Sequence, residues 1–422
     1  PLAWFLLTWI FSKLTWNPVG IQLLNLACMV LGMALIFFRS RFGALEKILL
    51  SLSYLLFFEY GVISRVYSLA FLTVVLFCVS SRPWLKFLWL GILANTTFFG
   101  WIISVPLAAE RIWAIRSDPR RAARSSLGYA ALALVGIVSV IPAPGKHYGA
   151  DWFLGWDPAR LGAVLQVFDV TFLPVTLSGG GGFLTGHWPP RLIPLSSAGA
   201  FAVAALILAL ICAVLWRDRA RLAVFLAGAL GVLAFSYTMH FAHVRHCGQL
   251  FLLLLACAWN PESLGTRGRP LWIGLLAVAA LGGLQTLWGP LASLPFSQAR
   301  NAGTFLRERG LAKEPVLGAA DYAAMPVAAY AGTPIFYPSY GRTTSFLVDS
   351  QERRVDLTRD ELGRSIEGFV IGNLPRRSVL VLSEPIDGLA LSPTIRVEAL
   401  ASFTGSYVGE DYYLYLAGPE LR

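Results

Sequence analysis

Residues 48–80 form one long apolar run that carries two opposite charges near its centre, Glu59 and Arg65, within FFEYGVISRVYSLAF. A straight helix over that run would be about 50 Å long at ~1.5 Å per residue. The hydrocarbon core of a bilayer is only about 30 Å thick. The run therefore predicts two spans joined by a tight turn over residues 59–65. An acid and a base would then sit at a membrane face between two helices. Ionisable groups in such places are costly, and they mark function by default.

The rest of the chain supports a membrane setting. It is 56% apolar and 14% charged, with a mean hydropathy of +0.63, unlike an ordinary soluble domain. Apolar stretches of span length alternate with short Arg-rich joints, which predicts a polytopic α-helical membrane protein. The spans are expected at 19–38, 46–60, 66–80, 84–95, 98–114, 126–142, 197–216, 220–239, 246–260 and 270–290. Residues 1–18 are short and Trp-rich and carry Lys13, which suits an interfacial helix. Together, 19–294 make a transmembrane helical domain. The five cysteines all fall in apolar segments without metal-type or CxxC spacing, so they read as small buried hydrophobes. The chain opens on Pro1 with neither Met nor a signal peptide, which predicts a fragment or a trimmed chain.

Loop charge sets the expected orientation. With a turn at residues 95–97, the groups Arg39, Arg41 and Lys47; Arg82 and Lys86; Arg111 to Arg124; Arg217 to Arg221; and Arg267 and Arg269 share one side. Far fewer basic residues fall on the other. If 84–114 were one span, that bias would vanish, so the positive-inside rule favours two short spans and a cytoplasmic Arg-rich side. The net charge of +10 then reflects topology and calls for no nucleic acid. The opposite, outer side receives the 59–65 turn, the loop 143–196, all five histidines and the C-terminal segment. Residues 295–422 alternate helical and strand patterns, which predicts an extracytoplasmic α/β domain.

Three constellations could carry chemistry. In the first, Arg65 offers a fork of donors suited to phosphate oxygens, Tyr60 and Tyr67 add hydroxyls, and Glu59, a catalytic candidate, could orient Arg65, hold a metal or polarise an acceptor. The competing reading is an interfacial ion pair in an aromatic belt. In the second, His243, Arg245 and His246, with His240, form an anion-binding patch at a helix start or a solvated loop. A zinc site would call for a convergent carboxylate, which the neighbouring sequence does not offer. In the third, Asp151, the catalytic candidate of the outer loop, lies with Asp157 and Asp169 among Trp152, Trp156 and Trp188. That pattern can hold a sugar ring by stacking, or lie as an amphipathic helix on the membrane. GxSxG, P-loop, GxGxxG and HExxH patterns do not occur in useful contexts.

The order of these features resembles the GT-C-fold integral membrane glycosyltransferases, of the protein mannosyltransferase-like and aminoarabinose-transferase-like kind. The resemblance rests on Pro1-Leu2 before an aromatic interfacial helix, on YxxxSRxYSLAFL-like residues 60–72, and on the paired short spans at 84–114. Arg245 followed by His246 at the outer end of a late span, and the C-terminal α/β domain, also agree. The resemblance implies transfer of a sugar from a polyprenyl-phosphate donor to a glycan, lipid or protein acceptor at the outer face of a bacterial inner membrane, in the cell envelope. It implies Arg65 at the lipid phosphate, and it matches Glu59 to an acidic position found in part of the family. It also implies a general-base Asp in a first outer loop, often with a divalent cation. That element is expected upstream of Pro1; otherwise this copy does not catalyse by the usual route. The alternatives are a non-catalytic envelope scaffold or sensor and, ranked below it, a lipid or solute transporter, which would show repeats and midplane charges.

Overall fold

The computed structural model describes residues 2–15, 19–141, 152–175, 196–239, 244–288, 294–346, 353–354 and 357–419. These fall into two compact units, a helical one up to residue 288 and a C-terminal one from residue 294.

The helical unit begins with α1 (Leu2–Leu14) and α2 (Val19–Arg39). One face of α1, with Trp4, Leu7 and Phe11, packs on Leu24 and Cys28 of α2 and on Leu69 and Leu72. Next come α3 (Ala44–Leu52), a single π-helical turn (Leu55–Glu59), α4 (Tyr67–Val79), α5 (Pro83–Ala94), α6 (Phe98–Ala114) and α7 (Pro119–Val140). The break at residues 95–97 is present, and Thr97 caps α6 by accepting from the Gly100 amide at 2.8 Å. The unit continues through α8 (Pro158–Phe172), α9 (Ser197–Leu215), α10 (Arg219–Thr238), α11 (Val244–Cys257) and α12 (Gly265–Trp288). Among the described residues, five helical segments are long and apolar enough to cross a membrane: Val19–Arg39, Ala122–Val140, Ala198–Leu215, Arg219–Thr238 and Pro261–Trp288. By length and composition this is a multi-pass membrane protein. Of the other expected spans, α4, α5 and α11 are shorter apolar helices.

Two expectations need correction. The span expected at 46–60 is not one helix. It breaks at Ser53, which is extended (φ −62°, ψ 136°), before resuming in the π turn. Gly283 on α12 explains how such a break can be packed. A Cβ there would lie 1.9 Å from the Leu52 carbonyl oxygen and 3.1 Å from the Tyr54 nitrogen. Its neighbour Gly282 likewise admits the Pro174 carbonyl, 2.1 Å from a would-be Cβ. Irregular backbone is tolerated at such depth only when protein covers it, and the glycine pair lets α12 do so. The second correction concerns the outer loop. Its 158–172 portion is a helix packed into the unit: α8 lies against α9, α10 and α11 and buries Val164, Phe168, Asp169 and Phe172. Asp157 is its N-cap, accepting from the Ala159 amide at 2.9 Å.

The C-terminal unit is a six-stranded sheet in the order β3-β2-β1-β4-β6-β5. Its strands are β1 (Val316–Gly318), β2 (Ile335–Tyr337), β3 (Arg342–Thr344), β4 (Ser378–Leu382), β5 (Ile395–Phe403) and β6 (Tyr412–Pro419). β1 is parallel to β2 and β4, and the remaining pairings are antiparallel. Alternation along β4 sorts the two faces. Val379 and Val381 meet α13 (Ala299–Glu308) and α14 (Asp321–Ala331), whereas Leu380 and Leu382 meet α15 (Arg359–Gly372). The alternating helical and strand patterns expected across 295–422 are present; the edge strand β3 turns no residue fully inward.

Candidate functional site

Basic side chains gather at one end of the helical unit. There Lys47 donates to the Phe37 carbonyl at the end of α2, and Lys86 donates to the Phe77 carbonyl near the end of α4. Cations suit helix C-termini because the unpaired carbonyls carry partial negative charge. Glu46, almost fully buried, accepts from the Gly43 amide at 2.6 Å and pairs with Arg269 at 2.9 Å, tying α3 to α12. Glu110 pairs with Arg111 and lies 3.9 Å from Arg221.

The opposite end carries the 59–65 turn. The turn is held from below by Asn25 on α2, whose amide donates to the carbonyls of Tyr60 at 3.0 Å and Gly61 at 2.9 Å. Tyr60 and Tyr67 stack with ring centres 5.4 Å apart. Tyr67 meets His246 edge-on at 6.0 Å, and His246 stacks on Phe99 at 4.9 Å. A row of four rings thus joins the turn, α4, α6 and α11. The Tyr60 hydroxyl donates to the Arg245 carbonyl at 3.0 Å. It can reach that carbonyl because Gly248 has no side chain; a Cβ there would lie 2.2 Å from the hydroxyl oxygen.

Two cations converge on this row. Arg245, Arg65 and Glu59 all lie close enough to the Tyr67 hydroxyl to act on it electrostatically. Arg65 is exposed, while Arg245 and His246 are half-buried. Glu59 is only 2% exposed and accepts from the Tyr54 hydroxyl at 3.2 Å. It is therefore a buried acid and not one open to the surface. Of the residues singled out from sequence, Glu59, Tyr60, Arg65, Tyr67, Arg245 and His246 come together here. Asp151 and His243 lie outside the described residues.

Sequence reasoning passed over three participants: Phe99, Tyr54 and Gln249. Gln249 follows Arg245 by four residues and His246 by three on α11, so it shares their face one turn deeper. It is fully buried, and neither its amide nitrogen nor its carbonyl oxygen has a hydrogen-bond partner. A glutamine inside an apolar helix was the available signal. No group of three or more His, Cys, Asp or Glu able to hold a metal ion occurs among the described residues.

The C-terminal unit has its own polar cluster at the carboxyl ends of β1 and β2. Asp321 accepts from Arg353 through both oxygens, at 2.7 and 3.0 Å, and from the Ser339 hydroxyl at 2.7 Å. Burial alone would raise the Asp321 carboxyl, but the hydrogen bonds from Arg353 and Ser339 outweigh it and hold the group below the usual carboxylate range. The nearby Tyr337 hydroxyl is pushed up to about 12, by burial first and then by the Asp321 charge.

The architecture and this site define a mostly helical, multi-pass membrane protein with a small C-terminal sheet. No protein-family model, curated protein or solved structure matches the chain.

Proposed function

We propose that the helical unit transfers a sugar from a polyprenyl-phosphate donor to an acceptor at the outer face of a bacterial inner membrane, with a GT-C-like arrangement. The observation that carries this reading is the meeting of Arg65, Arg245 and His246 around the stacked Tyr60–Tyr67 pair, at the end of the unit away from the Arg-rich loops. The positive-inside rule puts that end outside, together with the segment that follows α12.

The chemistry asks for few parts. The acceptor oxygen bonds to the anomeric carbon while the bond from that carbon to the phosphate oxygen breaks, and the electron pair leaves on the phosphate. The developing phosphate charge meets Arg65 and Arg245, whose forked donors fit phosphate oxygens. Preorganised cations of this kind are worth a few kcal/mol in the transition state. The acceptor proton passes to a carboxylate, for which Asp151 is the outer-loop candidate. Glu59, being buried, orders the turn that carries Arg65. A divalent cation would supply further charge stabilisation, but the described residues offer no three-ligand set for one.

The test is transfer from a polyprenyl-phosphate sugar in proteoliposomes. Arg65→Ala and Arg245→Ala should each lower the rate about 100-fold, the size seen when one donor to a developing oxyanion is removed. Unchanged transfer in both variants would refute the phosphate clamp.

A further inference from the structure

A cavity of about 670 Å³ lies between α9 and α12 at the Arg-rich end, remote in the fold from the Arg65 site. Its body is apolar, with Ala209 and Ala213 exposed along it. Its rim carries Arg217, Arg267 and the Thr266 hydroxyl beside the first turn of α12. Trp216, 59% exposed, lies at the same rim, and Arg219 covers its ring at 3.5 Å. Exposed Trp of this kind marks the headgroup level of a bilayer.

The charge at the rim is not neutralised locally. Neither Arg217 nor Arg267 pairs with an acidic side chain among the described residues. The two nearest acids in sequence are engaged elsewhere. Asp218 accepts from the Arg221 amide at 3.1 Å, and Glu262 pairs with Arg41 at 3.5 Å. Two uncompensated guanidiniums, a hydroxyl and a helix N-terminus therefore face one opening above an apolar trough. Helix N-termini favour anions, and basic pockets between membrane helices suit phospholipid headgroups.

We propose that this cavity is a binding site for an anionic glycerophospholipid. The phosphate meets Arg217, Arg267 and Thr266, and an acyl chain lies along Ala209 and Ala213. A free phosphate would use the rim alone and leave the apolar trough without purpose, so the lipid is the occupant that fits both halves. The site is independent of the transfer reaction.

Native mass spectrometry of the purified full chain, with phosphatidylglycerol or phosphatidylcholine added, tests the assignment. The wild-type protein should retain phosphatidylglycerol in preference to phosphatidylcholine. The R217Q/R267Q double variant should retain it about 30-fold less, about five-fold for each arginine near an anionic headgroup. R116Q/R120Q removes the same charge from the same end and should leave retention unchanged. A213L fills the trough while keeping both arginines, and it should also lower retention. Equal loss in R116Q/R120Q would reduce the effect to bulk charge and overturn the site. So would equal retention of phosphatidylcholine, or displacement of the lipid by glycerol 3-phosphate as readily as by phosphatidylglycerol. If R217Q/R267Q does not fold, A213L decides the matter, and full retention in that variant overturns the proposal.

Discussion

Gln249 is a polar side chain held inside the apolar helical unit. Its amide is fully buried, with no partner for either polar atom, and a buried group left in that state costs about 1–3 kcal/mol. Leucine has a similar volume and no polar atoms. Gln249→Leu should therefore raise the unfolding temperature in detergent, while lowering transfer if the amide serves the bound donor. A variant that is both more stable and fully active would show that Gln249 is only a packing residue. Asp321 makes a different prediction. Its carboxyl is held below its unfolded value near 3.9, so its contribution to stability is complete above that value. The contribution is lost as pH falls through the lower, folded value. Amide exchange in β1 and β2 of the full chain should quicken in that acid window. Asp321→Asn should remove this dependence at a cost of about 3 kcal/mol, since it breaks one side of a buried pair.

The break in the helix before the 59–65 turn could not be read from residues 46–60, because its cause lies on another element. Residues 48–58 are mostly apolar, and it is Gly283 on α12, admitting the backbone of residues 52–54 at close range, that gives the interruption a place to pack. The turn itself was legible from Glu59 and Arg65, because charges and excess length both resist a single span. The 95–97 break was legible from loop charge. α8 was less legible: its acids with the neighbouring Trp residues allowed a sugar-holding loop or a helix on the membrane, whereas Asp157 is a cap and Asp169 is buried. Gly283→Val would thrust a side chain into the Leu52 carbonyl and should destabilise the unit by more than about 3 kcal/mol, in the range of severe core defects. Gly274, on the same helix, has open space around its would-be Cβ. Gly274→Val should cost little or nothing, because valine has open space there and is a better helix former than glycine. Unfolding temperatures of the two variants, measured side by side, check the argument; equal losses would mean that the close approach is not what matters.

The two ends of the helical unit differ in a way that orients the whole chain. One end collects Lys47, Lys86, Arg111, Arg221 and Arg269 in helix-end and ion-pair contacts, and the other gathers aromatic rings around Arg65 and Arg245. Much of the candidate site was thus visible as charge out of place in apolar sequence. Phe99 and Tyr54 were not, since an aromatic residue in an apolar helix looks like core wherever it points. The orientation is open to a labelling experiment. The native thiols Cys28, Cys247 and Cys257 are buried, and Cys78 and Cys212 are half-buried within helices, so background labelling by a bulky polar reagent should be low. Ser117 and Thr394 are both exposed, the first between α6 and α7 at the Arg-rich end and the second in the C-terminal unit. With the Arg-rich loops in the cytoplasm, a membrane-impermeant maleimide added to intact spheroplasts should label Thr394→Cys. It should reach Ser117→Cys only after lysis. Labelling of Ser117→Cys in intact cells would invert the orientation and place Arg65 in the cytoplasm. The donor phosphate would then have to be presented from the inner leaflet, and the outer-face transfer reaction would fall with it.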